Sequence, residues 1–159
     1  MKALFLLMLL SSALLPGTAV ATQNQQASAI QELSPGGSHV ITPEQLAGLL
    51  QAPKGDKPLI LNVGPWLIYR QAHIPGSEYI GAGSDKQGLE QLKTRVKSVP
   101  HRQAIVLYCG CCPWDHCPNV RPAYQELSTM GFTNVKVLYI ANNLGMDWVD
   151  KGYPTIKGQ

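Results

Sequence analysis

The sequence predicts an α/β protein with a central parallel sheet covered by helices on both faces. Three observations predict it. From His39 onward, apolar stretches of strand length alternate with helical periodicities, the pattern of strands joined by crossover helices. The stretch Ala104 to Tyr108 is apolar throughout, as strands buried on both faces are. Four cysteines, all that the chain has, crowd into Cys109-Gly110-Cys111-Cys112-Pro113-Trp114-Asp115-His116-Cys117. They follow directly on that apolar strand, and ligands of parallel sheets bind beyond the carboxyl ends of the strands.

The elements follow in order. Thr42-Pro43-Glu44-Gln45 is a helix start, with Thr as cap, Pro at the first helical position and Gln three residues after the cap. Leu46, Leu49 and Leu50 give that helix an apolar face. Lys54 to Pro58 reads as a turn, and a strand is predicted near 59–63. Asp85 to Lys97 reads as a helix with Leu89, Leu92 and Val96 on one side. The strand near 104–108 leads into the cysteine cluster. Val120, Ala123, Tyr124 and Leu127 then recur at helical spacing until Gly131 stops the helix. A last strand is predicted near 135–139. A short closing helix holds Trp148 in the core, before Gly152-Tyr153-Pro154.

Ahead of this domain, assigned to residues 38–159, lie two segments of different character. Residues 1–21 read as an export signal: Lys2 supplies a positive start, Ala3 to Leu15 an apolar stretch too short to span a bilayer, and Ala19-Val20-Ala21 a small-x-small cleavage site. Residues 22–37, rich in Gln, Ser, Ala and Gly, read as a flexible lead-in. The expected location is the periplasm or the outside of the cell, with no membrane contact after cleavage. The formal charge of +3 falls by one when Lys2 leaves, and no basic stripe appears, so nucleic acid is not an expected partner. No feature specifies an oligomer.

The cluster itself points to sulfur chemistry or soft-metal binding. Thiols between a strand and a helix sit beside unpaired backbone N–H groups, which favour the thiolate. Cys109, at the strand end, is the expected nucleophile. Gly110 allows close backbone approach, and loop N–H groups, the helix N-terminus, His116 or Arg121 are available to stabilise charge. Cys111, Cys112 and Cys117 have two roles open to them. They can relay sulfur or close a disulfide, for which Cys112–Cys117 has the better loop geometry. Alternatively Cys111, Cys112, His116 and Cys117 offer thiolate and imidazole ligands for zinc or copper(I). The origin of all the ligands in one short loop speaks against zinc; relay or disulfide ranks ahead of metal, a choice that spacing does not decide, and no cofactor is expected. Trp114 either covers the site or pins the loop to the core. His73 is read as satisfying a backbone group, and His39 and His101 as surface positions.

Several motifs together resemble the rhodanese-like sulfurtransferases over roughly His39 to Pro154. Leu59-Ile60-Leu61-Asn62-Val63 resembles the family's early strand, Ala72-His73-Ile74-Pro75-Gly76-Ser77 its His-Ile-Pro-Gly segment, and Ile105-Val106-Leu107-Tyr108-Cys109 the strand that ends in the active-site cysteine. Leu127 with Gly131-Phe132, and Trp148 with Gly152-Tyr153-Pro154, resemble its closing elements. The resemblance implies a rhodanese-like fold and a persulfide carried on Cys109. It also implies a small sulfur-containing donor and a thiol or protein acceptor. The chain departs from the pattern in three places. The loop after Cys109 is about five residues longer and carries the other three thiols. Asn62-Val63-Gly64 stands where the family has Asp-Val-Arg. Asp115 stands six residues after Cys109, where a cysteine phosphatase needs an Arg to grip phosphate.

Overall fold

The computed structural model describes residues 33–53, 55 and 57–158. The predicted export signal, the predicted lead-in through residue 32 and part of the turn before residue 59 lie outside the described residues. Five strands form one sheet: β1 (Val40–Ile41), β2 (Leu59–Asn62), β3 (Ser77–Tyr79), β4 (Ile105–Tyr108) and β5 (Val135–Leu138). Their order is β1-β5-β4-β2-β3, and every pairing is parallel. The helices are α1 (Pro43–Gln51), α2 (Trp66–Gln71), α3 (Lys86–Val96) and α4 (Val120–Thr129), with single turns at Trp114–His116 and Gly145–Val149.

β4 lies at the centre of the sheet, and its four residues are all buried. Strand periodicity divides them between two cores. Ile105 and Leu107, followed by Cys109, join Leu92 and Val96 of α3 and Ala123 and Leu127 of α4 on one face. Val106 and Tyr108 join Leu46 and Ala47 of α1 and Trp148 on the other. This is the doubly covered parallel sheet that the apolar run predicts. Trp148 is fully buried, and its indole N–H donates to Pro154 O at 2.8 Å.

The start of α1 behaves as read. Gln45 N donates to Thr42 Oγ1 at 3.3 Å, Thr42 N donates to Gln45 Oε1 at 3.0 Å, and Pro43 opens the helix. The predicted strands and helices occur with ends shifted by a residue or two. Three elements have no counterpart in the sequence reading. β1 has two residues and β3 three, too few for a period to show. α2 buries none of its residues and leaves Trp66 and Leu67 exposed, so it has no apolar stripe facing the core. The packed body also begins before residue 38. Leu33 is 2% exposed and belongs to the α3–α4 core. Two large apolar residues, Ile30 and Leu33, in a polar segment leave little compositional signal.

His73 is a structural residue, as expected. Its ring Nδ1 meets Tyr69 O at 3.0 Å, and its backbone exchanges two hydrogen bonds with Ile156, each 2.9 Å long. Next to it, the hydroxyl of Tyr108 meets Ser77 Oγ at 2.9 Å and accepts from Ile74 N at 3.4 Å. Burial pushes this phenol up to about 12, so it stays protonated. A central strand is thereby tied to the His-Ile-Pro-Gly segment inside an apolar core. Tyr108→Phe, which leaves Ile74 N–H and Ser77 short of a partner, is expected to lower stability by about 1–2 kcal/mol in urea unfolding.

Candidate active site

The last ladder bonds of the central strands set the position of Cys109. Val63 N donates to Tyr108 O at 2.8 Å, so the chain after β2 and the chain after β4 leave the sheet side by side. The buried Asn62 side chain then bridges them. Its Nδ2 donates to Cys109 O at 3.3 Å, and its Oδ1 accepts from Gly64 N at 3.1 Å. Gly64 lies so close to Cys109 that a Cβ on it would meet Cys109 O at 2.6 Å and Cys109 Sγ at 3.0 Å. No side chain fits there without displacing backbone. In this site Asn62 and Gly64 are therefore one device: an amide clamps two backbones that only glycine lets approach.

Gly110 turns the chain with φ +81, a conformation that favours glycine. Its carbonyl accepts from Leu144 N at 3.0 Å, and a Cβ would meet Leu144 Cβ at 2.8 Å. Both the conformation and the contact require glycine here. The turn folds the loop back over the sheet end, and Cys111, Trp114 and Cys117 pack against the α3–α4 core. Trp114 both pins and covers. Its backbone N–H donates to Ala141 O at 3.4 Å, its ring lies 5.2 Å from that of Tyr139, and it lines the void beside the sulfurs.

The four sulfurs form one group. Cys109 Sγ lies 3.2 Å from Cys111 Sγ, which lies 2.9 Å from Cys112 Sγ. The sulfurs of Cys109, Cys112 and Cys117 all lie within 4.8 Å of one another. All four cysteines are free, with Cys109 buried and the others half-buried. A void of about 10 Å³ lies against Cys109, Gly110, Cys112 and Cys117 and is also lined by Trp114, Val120, Leu138 and Ile140. That is about the space one water-sized sphere needs.

Sequence reasoning missed Asn119, which is 3% exposed. Its Nδ2 donates to Cys109 Sγ at 3.2 Å, while its Oδ1 accepts from Ser84 N at 3.1 Å. Its place just before α4 is the available signal, and there it reads as an ordinary helix cap. The side chain instead makes no cap hydrogen bond and supports the sulfur. His116 and Arg121, expected as stabilisers, are exposed, and among the described residues no hydrogen bond or ion pair ties either to a cluster sulfur.

The charge within the cluster differs from the expectation. The N-terminus of α4 serves Cys117 rather than Cys109. A hydrogen bond from Cys109, together with the backbone N–H groups of Asn119 and Val120, holds Cys117 down at about 6. Cys109 is pushed up, first because its proton is held toward Cys117, then by burial and by the neighbouring charge. Burial, the hydrogen bond to Cys111 and nearby charge push Cys112 up to about 12. Thiols this crowded disfavour one another's ionisation, so they titrate as a coupled group.

The Rhodanese-like domain family matches residues 42–139. The chain belongs to the rhodanese-like family. Its fold is similar to that of the rhodanese-like domain of an Anabaena protein, at 21% identity over 76% of this chain and 80% of that one, with a TM-score of 0.55. A Bacillus halodurans protein gives 17% identity over 86% of both chains and a TM-score of 0.59. The thiosulfate sulfurtransferase of Pseudomonas aeruginosa gives 21% identity over 84% of this chain but 23% of its own length, with a TM-score of 0.50. No curated protein matches the chain. The parallel sheet covered on both faces, and the Cys-rich loop of a rhodanese-like domain, stand as read from the sequence.

A titration checks the charge assignment. Thiolate absorbance near 240 nm should rise in a step centred at about pH 6, as Cys117 ionises, and fall away below it. Cys117→Ser should remove that step.

Proposed function

We propose that this protein carries sulfane sulfur as a persulfide on Cys109 and passes it to a thiol or another nucleophilic acceptor. The observation that carries the reading is the position of Cys109 at the carboxyl end of the central strand. Its sulfur there receives the Asn119 amide and borders a void of single-atom size. Membership of a family that includes sulfurtransferases supports the same reading.

In the loading step the Cys109 sulfur bonds to the outer sulfur of the donor as the donor's S–S bond breaks. The Cys109 proton passes to the Cys117 sulfur. The donor leaves as sulfite or as a thiolate, with the electron pair of the broken bond. In the discharge step an acceptor thiolate takes the outer sulfur, and Cys109 recovers its proton. The Asn119 N–H group, already aimed at Sγ, supports the charge that develops during both exchanges.

Cys111 adds a resolving route, because its sulfur lies 3.2 Å from Cys109 Sγ. The Cys111 thiolate can attack Cys109 Sγ of the persulfide and expel hydrosulfide. This leaves a Cys109–Cys111 disulfide, which an external dithiol then reduces. The proposal includes export, supported by the signal-like composition of residues 1–21, and amino-terminal sequencing of protein from its host should begin at Thr22.

The mass of the protein after brief treatment with thiosulfate or polysulfide tests the sulfur reading. The wild type should gain one sulfur atom and Cys109→Ser none. Cys111→Ser should gain it and keep it longer. An added sulfur on Cys109→Ser would place the nucleophile elsewhere.

A further inference from the structure

We infer that Cys109, Cys112 and Cys117 form a three-coordinate site for a soft monovalent cation, copper(I) by preference. The site differs from the ligand set that spacing alone suggests, Cys111, Cys112, His116 and Cys117. The three sulfurs already lie within 4.8 Å of one another. Metal–sulfur bonds of about 2.3 Å put the sulfurs of a trigonal ion about 4 Å apart, so modest side-chain rotation closes the set. The void that they border has room for one small ion.

Coordination number and ligand softness select the metal. Zinc takes four ligands in structural sites. The imidazole that could complete them, His116, is exposed and stands outside the three-sulfur set. Cys111 touches Cys109 and Cys112 but does not belong to the set either. Three thiolates with no nitrogen or oxygen donor favour copper(I) among the biological metals. The remaining walls include Trp114, Val120, Leu138 and Ile140, whose side chains offer no hard ligand. An outer layer is in place at one ligand: the Asn119 amide donates to Cys109 Sγ at 3.2 Å.

The inference stands apart from the sulfur chemistry, although both use Cys109. Metal and sulfur should therefore exclude each other. The reduced protein, kept free of oxygen, is titrated with copper(I) against the chelator bathocuproine disulfonate. One equivalent should be retained, and X-ray absorption of the loaded wild type should show three sulfur neighbours. Cys112→Ser and Cys117→Ser should each weaken binding by about 100-fold or more, whereas Cys111→Ser and His116→Ala should change it little. Loss of all copper to the chelator would overturn the site. So would nitrogen or oxygen neighbours in the absorption spectrum, or a loss in His116→Ala equal to that in Cys112→Ser. The spectrum of the wild type decides even if a variant fails to fold. Sulfur uptake by Cys112→Ser, read by mass, keeps the two readings separable: its failure would bear on the persulfide alone.

Discussion

The parallel pairing of β2 with β4 governs where every sulfur goes. The two strands run in register from Leu59 opposite Ile105 to Asn62 opposite Tyr108, and both chains leave the sheet at the same level. At that point no further ladder partner exists, and a buried backbone group without one costs about 1–3 kcal/mol. The Asn62 amide meets the need on both sides, to Cys109 O and Gly64 N. The first residue of the reactive loop is thus held as firmly as a strand residue. The rest of the loop turns away from a fixed point.

That fixed point explains the economy of the loop. The Gly110 turn, the Trp114 ring on Tyr139 and the short turn at Trp114–His116 return the chain to α4 within a few residues. The sulfurs face inward because the same short segment must also cover the ends of two hydrophobic cores. Asn119 then joins the loop to the neighbouring Ser84 segment, so α4, β4 and the chain after β3 meet at one amide. Crowding the thiols has an electrostatic consequence. The start of α4 favours the thiolate of Cys117, and burial disfavours that of Cys109. Cys109 is buried, which raises its pKa, and the Cys117 sulfur lies within 4.8 Å of it.

The exposed charges matter less. Arg95 grips both oxygens of Glu78, at 2.5 and 2.8 Å, and so links α3 to β3. Both side chains are about a third or more exposed, and the pair is worth at most about 1 kcal/mol. The stability of the site rests instead on the buried strand pairing and on two buried amides, Asn62 and Asn119.

Much of this was legible in the residues themselves. Strands buried on both faces need apolar side chains at every position, so β4 announced itself, and its neighbours followed from helical and strand periodicity. The cysteines were legible because four thiols rarely gather by chance. Asn62, Gly64 and Asn119 were not recognised as site residues, because each has an ordinary local reading as strand end, turn or cap. Their roles arise from contacts such as that of Asn62 with Cys109, 47 residues apart in sequence. Likewise, sequence spacing placed Cys109 beside a helix N-terminus but could not say which sulfur receives its N–H groups. The amino-acid order determined that strand, loop and helix would bring thiols together. Only the tertiary structure decided that the Asn119 amide reaches Cys109 and that His116 and Arg121 stay in solvent. Hydrogen-bond partnership and burial depend on three-dimensional distance and direction, which sequence separation does not encode.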